Sequence, residues 1–168
     1  MIARGNASGE PSGAAIEIGV AATAEEIAAV RELLLEYERD IGVDLCFQGF
    51  AAELDRLPGE YAPPRGRLLI ARTEEGAAGC IALRPLGGGA CEMKRLYVRP
   101  SFRATGLGRA LAERILAEAR TIGYARMCLD TLSTMARAQS LYEKLGFRDV
   151  PPYRENPIAG TRFMGLDL

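Results

Sequence analysis

The chain has 168 residues, of which 48% are hydrophobic and 26% are charged, and its formal net charge is -1. A chain of this length makes one domain and can bury roughly two thirds of the surface that it exposes when unfolded. The near-neutral balance excludes a global basic field that would recruit nucleic acid or an anionic membrane. We therefore expect neither as a partner.

Cysteine and histidine usage limits the chemistry. The four cysteines, Cys46, Cys80, Cys91 and Cys128, lie far apart without a paired CxxC spacing, and there is no histidine. We expect reduced, buried thiols and no metal site. Without histidine, the commonest general base and the serine/histidine route are both missing. An enzyme built on this chain must use carboxylate, tyrosine or thiol chemistry.

The first 14 residues are rich in glycine, serine and alanine, and are predicted to form a disordered tail before a domain over residues 15–168. The start of the chain lacks the apolar run of a signal peptide. No later stretch approaches the ~20 apolar residues that a membrane helix needs. A soluble, cytoplasmic protein is the expectation.

The first half of the chain predicts one long helix, a short one and four strands. Thr23 and Glu26 have capping-box spacing and open a helix that runs at helical periodicity to Ile41, before Gly42. A short helix is predicted over residues 50–57. Strands are predicted over 15–21, 67–72, 79–86 and 91–98. The last three are joined by hairpin signals, so they should form an antiparallel meander.

The second half predicts a third helix from about Gly106 to Ile122, a buried strand over 125–132, a fourth helix over 135–145 and final strands over 147–150 and 161–168. The strand at 90–98, the helix after it and the strand at 125–131 form a βαβ unit. Its strands should run parallel and their ends should diverge around a ligand. The predicted fold class is α/β (α+β), a mixed and mostly antiparallel sheet with helices on its faces.

The stretch "KRLYVRPSFRATGLGRAL" carries the clearest functional signal. Gly106 and Gly108 let backbone N–H groups approach a ligand at the positive end of the third helix, and a pyrophosphate suits such a site. Arg103 and Arg109 flank the turn. The alternative is a glycine-softened connection with solvated arginines. Arg109-Ala110 excludes a nucleotide P-loop, and Leu111 breaks the dinucleotide fingerprint.

The hexapeptide "RATGLG" fits Arg/Gln-x-x-Gly-x-Gly/Ala, "LYV" precedes it, and "AQSLYEKLGF" follows at 138–147. On these motifs the sequence resembles the GNAT superfamily of acetyl-CoA-dependent N-acyltransferases, over about residues 16–168. The resemblance implies that a splayed parallel strand pair holds the pantetheine arm of coenzyme A. The cofactor-binding residues it implies are Leu96, Tyr97 and Val98 for the arm, and Arg103, Ala104, Thr105, Gly106, Leu107, Gly108 and Arg109 for the pyrophosphate. Met135 replaces an asparagine found in many members, which weakens any amide contact there.

The resemblance also implies two catalytic residues. Glu92, six positions before Val98, matches the general base of some members, and Tyr142 matches the general acid that protonates the departing thiolate. The alternative for Glu92 is a glutamate that is solvated or paired with Lys94 or Arg95. The alternative for Tyr142 is a core tyrosine. An acetyl-cysteine route through Cys91 or Cys128 is disfavoured because neither has a neighbouring base in sequence.

The acceptor side is implied to lie between the first two helices and the loop before the last strand. Its candidate residues are Tyr37, Asp40, Asp44, Phe47, Tyr153 and Asn156. We predict acetyl transfer from acetyl-CoA to a primary amine of a small molecule by direct attack in a ternary complex. A protein or peptide N-acetyltransferase and a non-catalytic acyl-CoA-binding module are the alternatives. Edge strands are compatible with a homodimer or a monomer.

Overall fold

The computed structural model describes residues 15–168, apart from the side chain of Phe47, so the predicted tail over 1–14 lies outside the described residues. The strands are β1 (Glu17–Val20), β2 (Arg67–Thr73), β3 (Gly76–Gly87), β4 (Ala90–Val98), β5 (Arg126–Thr131), β6 (Arg148–Asp149) and β7 (Arg162–Asp167). The helices are α1 (Ala24–Ile41), α2 (Phe50–Arg56), α3 (Leu107–Ile122) and α4 (Ala136–Lys144). None of these helices has the length and apolar content needed to cross a bilayer.

Helix α1 forms as its sequence predicts. The Thr23 hydroxyl accepts the N–H of Glu26 at 3.2 Å, and the Glu26 carboxylate accepts the N–H of Thr23 at 3.1 Å. Gly42 ends the helix in the left-handed region with φ 63, where a residue without Cβ meets no steric penalty. The buried face carries Val30, Leu33 and Leu34.

Seven strands form one sheet in the order β1-β2-β3-β4-β5-β7-β6. The predicted meander is β2-β3-β4, and β4 with β5 is a parallel pair. Helix α3 is the crossover between these two strands and packs on one face of the sheet with α4. Helices α1 and α2 cover the other face. The predicted fold class and its parallel pair are confirmed.

The parallel pair is short, and this opens the site. Ladder partners run only from Ala90↔Arg126 to Glu92↔Cys128. Beyond them β4 continues against β3 and β5 continues against β7. The facing edges of the two strands therefore keep unpaired backbone groups, which is where an extended ligand can add.

A bulge in β4 sets which side chains face each layer. Cys80 pairs with Tyr97 while Ala82 pairs with Lys94, so β4 carries one extra residue there, and Arg95 takes φ 61. An extra residue shifts the alternation of side chains. Lys94 and Tyr97 consequently both lie on the face covered by α1 and α2, whereas Leu96 packs toward α3.

Predicted and observed elements differ mainly at the end of the chain. The strand predicted over 147–150 is reduced to Arg148–Asp149, since it lies at the sheet edge and pairs only with β7. In addition, β7 inserts between β5 and β6, which hydrophobic periodicity cannot indicate.

Gly79 provides a test of the contact between β3 and the bulged strand. A Cβ at Gly79 would lie 2.6 Å from the Tyr97 carbonyl oxygen and 3.3 Å from Leu111. We expect Gly79→Ala to lower the free energy of unfolding by about 1 to 3 kcal/mol, the usual cost of overpacking, as measured by urea titration.

Gly19→Ala is the matched control, since a Cβ there meets only Arg72 Nη2, at 4.0 Å. Equal losses in the two variants would contradict the claim that the close approach of β3 to β4 requires glycine.

Candidate active site

A long groove of about 610 Å³ runs between the end of β4, the start of α3 and the start of α4. Its walls include the predicted Leu96, Tyr97 and Val98 from β4 and Gly108 from α3. Met135 also lines it. The groove follows the gap left where β4 and β5 stop pairing.

The turn at the head of this groove is open toward solvent. Ala104 and Gly106 take positive φ angles of 65 and 89, which curl the chain just before α3. The first turn of an α-helix has N–H groups without an intrahelical partner, at its positive end. A Cβ at Gly106 would meet nothing within 4 Å, and one at Gly108 meets only Val98 Cγ2, at 3.8 Å. The turn thus offers unhindered donors to an anion.

Both predicted flanking arginines already have carboxylate partners. Arg103 donates from Nη2 to Asp40 at 2.6 Å and from Nε to the Val98 carbonyl at 2.9 Å. Arg109 pairs with Glu113 at 2.7 Å on the exposed face of α3. Asp40, predicted on the acceptor side, therefore lies in the groove with Arg103 instead. The turn relies on its backbone more than on these two side chains.

A smaller inner cavity of about 90 Å³ continues from the groove. Both share Tyr37, Leu96 and Met135. Apart from its tyrosines, the polar side chains at its wall come from β4, β5, the turn after α1 and the loop before β7: Gln48, Lys94, Arg95, Asp130, Thr131 and Asn156. Of the predicted acceptor residues, Tyr37 and Asn156 line this cavity, and the Asn156 amide donates to Asp130 at 3.1 Å.

Tyr142 lies at the wall of the inner cavity on α4. It is buried, its ring contacts Phe147 edge to face, and burial raises the pKa of its phenol. No hydrogen bond to its hydroxyl is found within residues 15–168. A phenol in this setting stays protonated at neutral pH and has a proton to donate.

Glu92 is fully buried and is not part of the cavity wall. Its carboxylate accepts Arg84 Nε at 2.9 Å, Arg154 Nη1 at 3.3 Å and the Tyr153 hydroxyl at 3.0 Å. The alternative prediction was a glutamate that is solvated or paired with Lys94 or Arg95. Glu92 is neither. The charges of Arg84 and Arg154 balance the charge of this carboxylate.

The remaining predicted residues separate into several environments. Tyr153 contacts Glu92 and Phe163 rather than the cavity. Asp44 is exposed and accepts the N–H of Cys46 at 2.8 Å. Burial raises the pKa of Cys91 to about 12 and also raises that of Cys128. Neither thiol is held as the thiolate that an acetyl-cysteine route requires.

Ion pairs beneath α2 and the loop before β7 were missed from the sequence. Arg95 makes a bidentate pair with Glu53 at 2.9 and 2.7 Å and lies over the Phe50 ring. Burial raises the pKa of Glu53, but the hydrogen bond and charge of Arg95 outweigh it, so this pKa lies below its usual value. Arg154 contacts Asp130 at 3.0 Å as well as Glu92. The run "CEMKRLYV" alone suggests a solvated polar face instead.

Comparison with known proteins gives a consistent family. Residues 64–149 match a family model described as an acetyltransferase (GNAT) domain. An uncharacterised N-acetyltransferase of Schizosaccharomyces pombe is 41% identical, over 91% of this chain and 95% of its own. An IAA acetyltransferase of Azospirillum brasilense is 38% identical over 78% and 86%. A Streptococcus agalactiae acetyltransferase structure superposes with a TM-score of 0.77 at 22% identity, over 91% and 98% of the chains.

The pair between Glu53 and Arg95 is a test of what holds β4 in its bulged form. Glu53→Gln would leave a buried guanidinium without its counter-charge, so we expect a loss of about 3 to 5 kcal/mol in the free energy of unfolding, measured by denaturant titration.

Glu113→Gln, in the exposed pair with Arg109, is the control and should change stability by no more than about 0.5 kcal/mol. A similarly small effect of Glu53→Gln would show that the bulge does not depend on this ion pair.

Proposed function

Since the chain belongs to the GNAT acetyltransferases, a family that uses acetyl-CoA, we propose that it acetylates a primary amine of a small molecule by direct attack in a ternary complex. One observation carries this proposal. The groove beside the open helix turn meets the polar inner cavity at Leu96, and Tyr142 lies at the cavity wall. An acetyl donor in the groove and an acceptor amine in the cavity can therefore meet beside the Tyr142 phenol.

The described residues fit coenzyme A. The unhindered N–H groups at Gly106–Arg109 suit the pyrophosphate, and the unpaired edge of Leu96–Val98 suits the amide groups of the pantetheine arm. The Val98 carbonyl already accepts a hydrogen bond from Arg103, so it is less available to the pantetheine arm than the backbone groups of its neighbours. When bound, acetyl-CoA supplies a thioester carbonyl that a neutral amine can attack.

The chemistry assigned to the chain has three parts. Backbone N–H groups near Leu96 polarise the thioester carbonyl and stabilise its developing negative charge, a contribution worth a few kcal/mol at comparable sites. The amine nitrogen forms the new C–N bond as the C–S bond breaks. Tyr142 then donates its proton to the departing thiolate, whose conjugate acid has a pKa near 8.5 by the cysteine reference.

A base must take the proton that the amine loses. We assign this role to Glu92 acting through an intervening group such as water, because its oxygens are engaged by Arg84, Arg154 and Tyr153 and it does not line the cavity. Asp130 is the carboxylate at the cavity wall. Burial raises its pKa, but Arg154 and Lys94 outweigh this and lower it, so it stays charged and can hold a cationic amine nearby.

The size of the inner cavity favours a small acceptor over a protein. Its volume is about 90 Å³, and Tyr37 and Leu45 from α1 and the turn after it close one side. An extended peptide needs an open channel instead. A non-catalytic binding module would not need a phenol at this wall. The four cysteines are free, a state that a reducing cytoplasm preserves.

Thiol release from acetyl-CoA, measured with a panel of small amines and peptides, tests the proposed function. We expect release with small amines, and at least a tenfold fall in kcat for Tyr142→Phe because the variant cannot protonate the thiolate. Affinity for coenzyme A, measured by calorimetry, should be unchanged in the variant.

Tyr124→Phe is the matched control, since this buried tyrosine on the same face lies outside the cavity and donates to the Arg65 carbonyl at 2.8 Å. Undiminished turnover in Tyr142→Phe would remove the acid role, and a preference for peptides would replace the small-molecule acceptor.

Glu92→Gln separates a proton-accepting role from an ion-pairing one. We expect kcat to fall at least tenfold and the melting temperature to fall as well, since Arg84 and Arg154 lose their shared anion. If Glu92 accepts the proton, Glu92→Gln should also remove the acidic limb of the pH profile of kcat/KM.

Asp149→Asn, which removes an exposed carboxylate partner of Arg162, is the control for general charge effects. Normal turnover by folded Glu92→Gln at low temperature would show that Glu92 serves only the ion pairs.

A further inference from the structure

Lys94 is a buried ammonium group on the cavity wall. The residue is 7% exposed, and its Nζ donates to Gln48 Oε1 at 3.3 Å. Within residues 15–168, no carboxylate oxygen lies within 4 Å of this nitrogen. An ammonium has three donors, so two have no acceptor among the described residues. Burying a charge in this way is costly unless an anion is supplied.

The neighbouring cations are all matched. Arg95 has Glu53, Arg154 has Asp130 and Glu92, and Arg84 has Glu92 and the mostly exposed Glu60. The buried part of this cluster thus combines four cations with three carboxylates, Glu53, Glu92 and Asp130. Lys94 is the cation in excess, and it lies beside the inner cavity.

Lys94 lies close to Leu96, beside which the thioester carbonyl is proposed to bind. Lys94 precedes Leu96 by two residues, with the left-handed Arg95 between them. Both residues line the inner cavity. A group held by Lys94 therefore lies in the same cavity as the proposed attacking amine.

We propose that Lys94 binds a carboxylate of the acceptor, so that the substrates are primary amines that also carry a carboxylate, as amino acids do. This inference rests on the proposed function. The carboxylate accepts the free Nζ donors of Lys94, while Asp130 on the opposite strand faces the amine end. A zwitterion supplies the anion that Lys94 lacks and a cationic group beside Asp130.

The state of Lys94 fixes the direction of the pH dependence. Burial, followed by the charge of Arg95, lowers its pKa to about 8, with Arg154 and Arg84 acting in the same direction and Glu92 opposing them. Asp130 and Asn156 face the cavity from β5 and the loop before β7. A bound carboxylate favours the ammonium form. Affinity for the carboxylate should therefore be full below pH 8 and decline as the pH rises above it.

A matched substrate panel tests the proposal. Thiol release would be measured for the standard amino acids and for the amide of each, which keeps the amine but lacks the carboxylate. We expect wild-type kcat/KM to favour the acids. Lys94→Met should lose about tenfold to a hundredfold on the best acid, the range for a hydrogen bond to a charged group, and change little on its amide.

Lys94→Arg is the matched control, because it keeps the charge without a group that gives up its proton near neutral pH. It should retain most of the preference for acids. Calorimetry with the N-acetylated form of the best amino acid should show weaker binding at pH 9 than at pH 7, and no such dependence in Lys94→Met. Melting temperatures establish that each variant is folded.

Three results would overturn the inference. Equal wild-type turnover of acids and amides would leave the acetyltransferase function standing without a carboxylate site. Loss of turnover in both Lys94→Arg and Lys94→Met, on acids and amides alike, would make Lys94 a proton acceptor. Absence of thiol release with every amine would remove the proposed function and this inference with it.

Discussion

The site depends on one irregularity, the extra residue that β4 carries at Arg95. The left-handed conformation there, φ 61 in a residue with a Cβ, is sparsely populated and needs support from its surroundings. Glu53 provides that support through two hydrogen bonds, and Phe50 lies beneath the guanidinium. Both partners lie in α2. This short helix therefore helps to shape a strand far from it in sequence. The bulge then determines how β4 presents Lys94, Leu96 and Tyr97 to the two layers.

The part of the sheet face that lies beneath α2 and the loop before β7 carries ion pairs, where a sheet face is ordinarily apolar. Glu92 joins Arg84 to Arg154, and Arg154 continues to Asp130 on the neighbouring strand. These pairs bridge β3, β4, β5 and the loop at the point where the ladder between β4 and β5 ends. Buried pairs of this kind fix geometry more than they add stability. They keep the diverging strands at a defined separation and leave a polar cavity between them.

The sequence predicts whatever depends on local patterns. Thr23 and Glu26 fix the start of α1, hairpin signals fix the β2-β3-β4 meander, and the spacing of Gly106 and Gly108 identifies the helix turn. It does not predict what depends on long-range packing. Arg154 lies 62 positions from Glu92, and the register slip at Arg95 leaves no compositional mark. Glu92 and Lys94 occupy alternate positions of β4, as solvent-facing residues would, so only the covering of that face by α2 and the loop before β7 reveals a buried cation.

The same excess of positive charge bears on one step of the proposed reaction, the loss of a proton from the acceptor ammonium. Nearby cations favour the neutral form of an amine and so lower its pKa. Lys94 shows this effect in part, since burial lowers its pKa most and the charges of Arg95, Arg154 and Arg84 lower it further against the opposing charge of Glu92. An acceptor amine in the adjoining cavity meets the same cations, with the charge of Asp130 at the wall opposing them. An amine whose pKa is lowered in this way loses its proton more readily, so a weaker base suffices. The arginines that pair with Glu92 thus also favour the proton loss on which the proposed transfer depends.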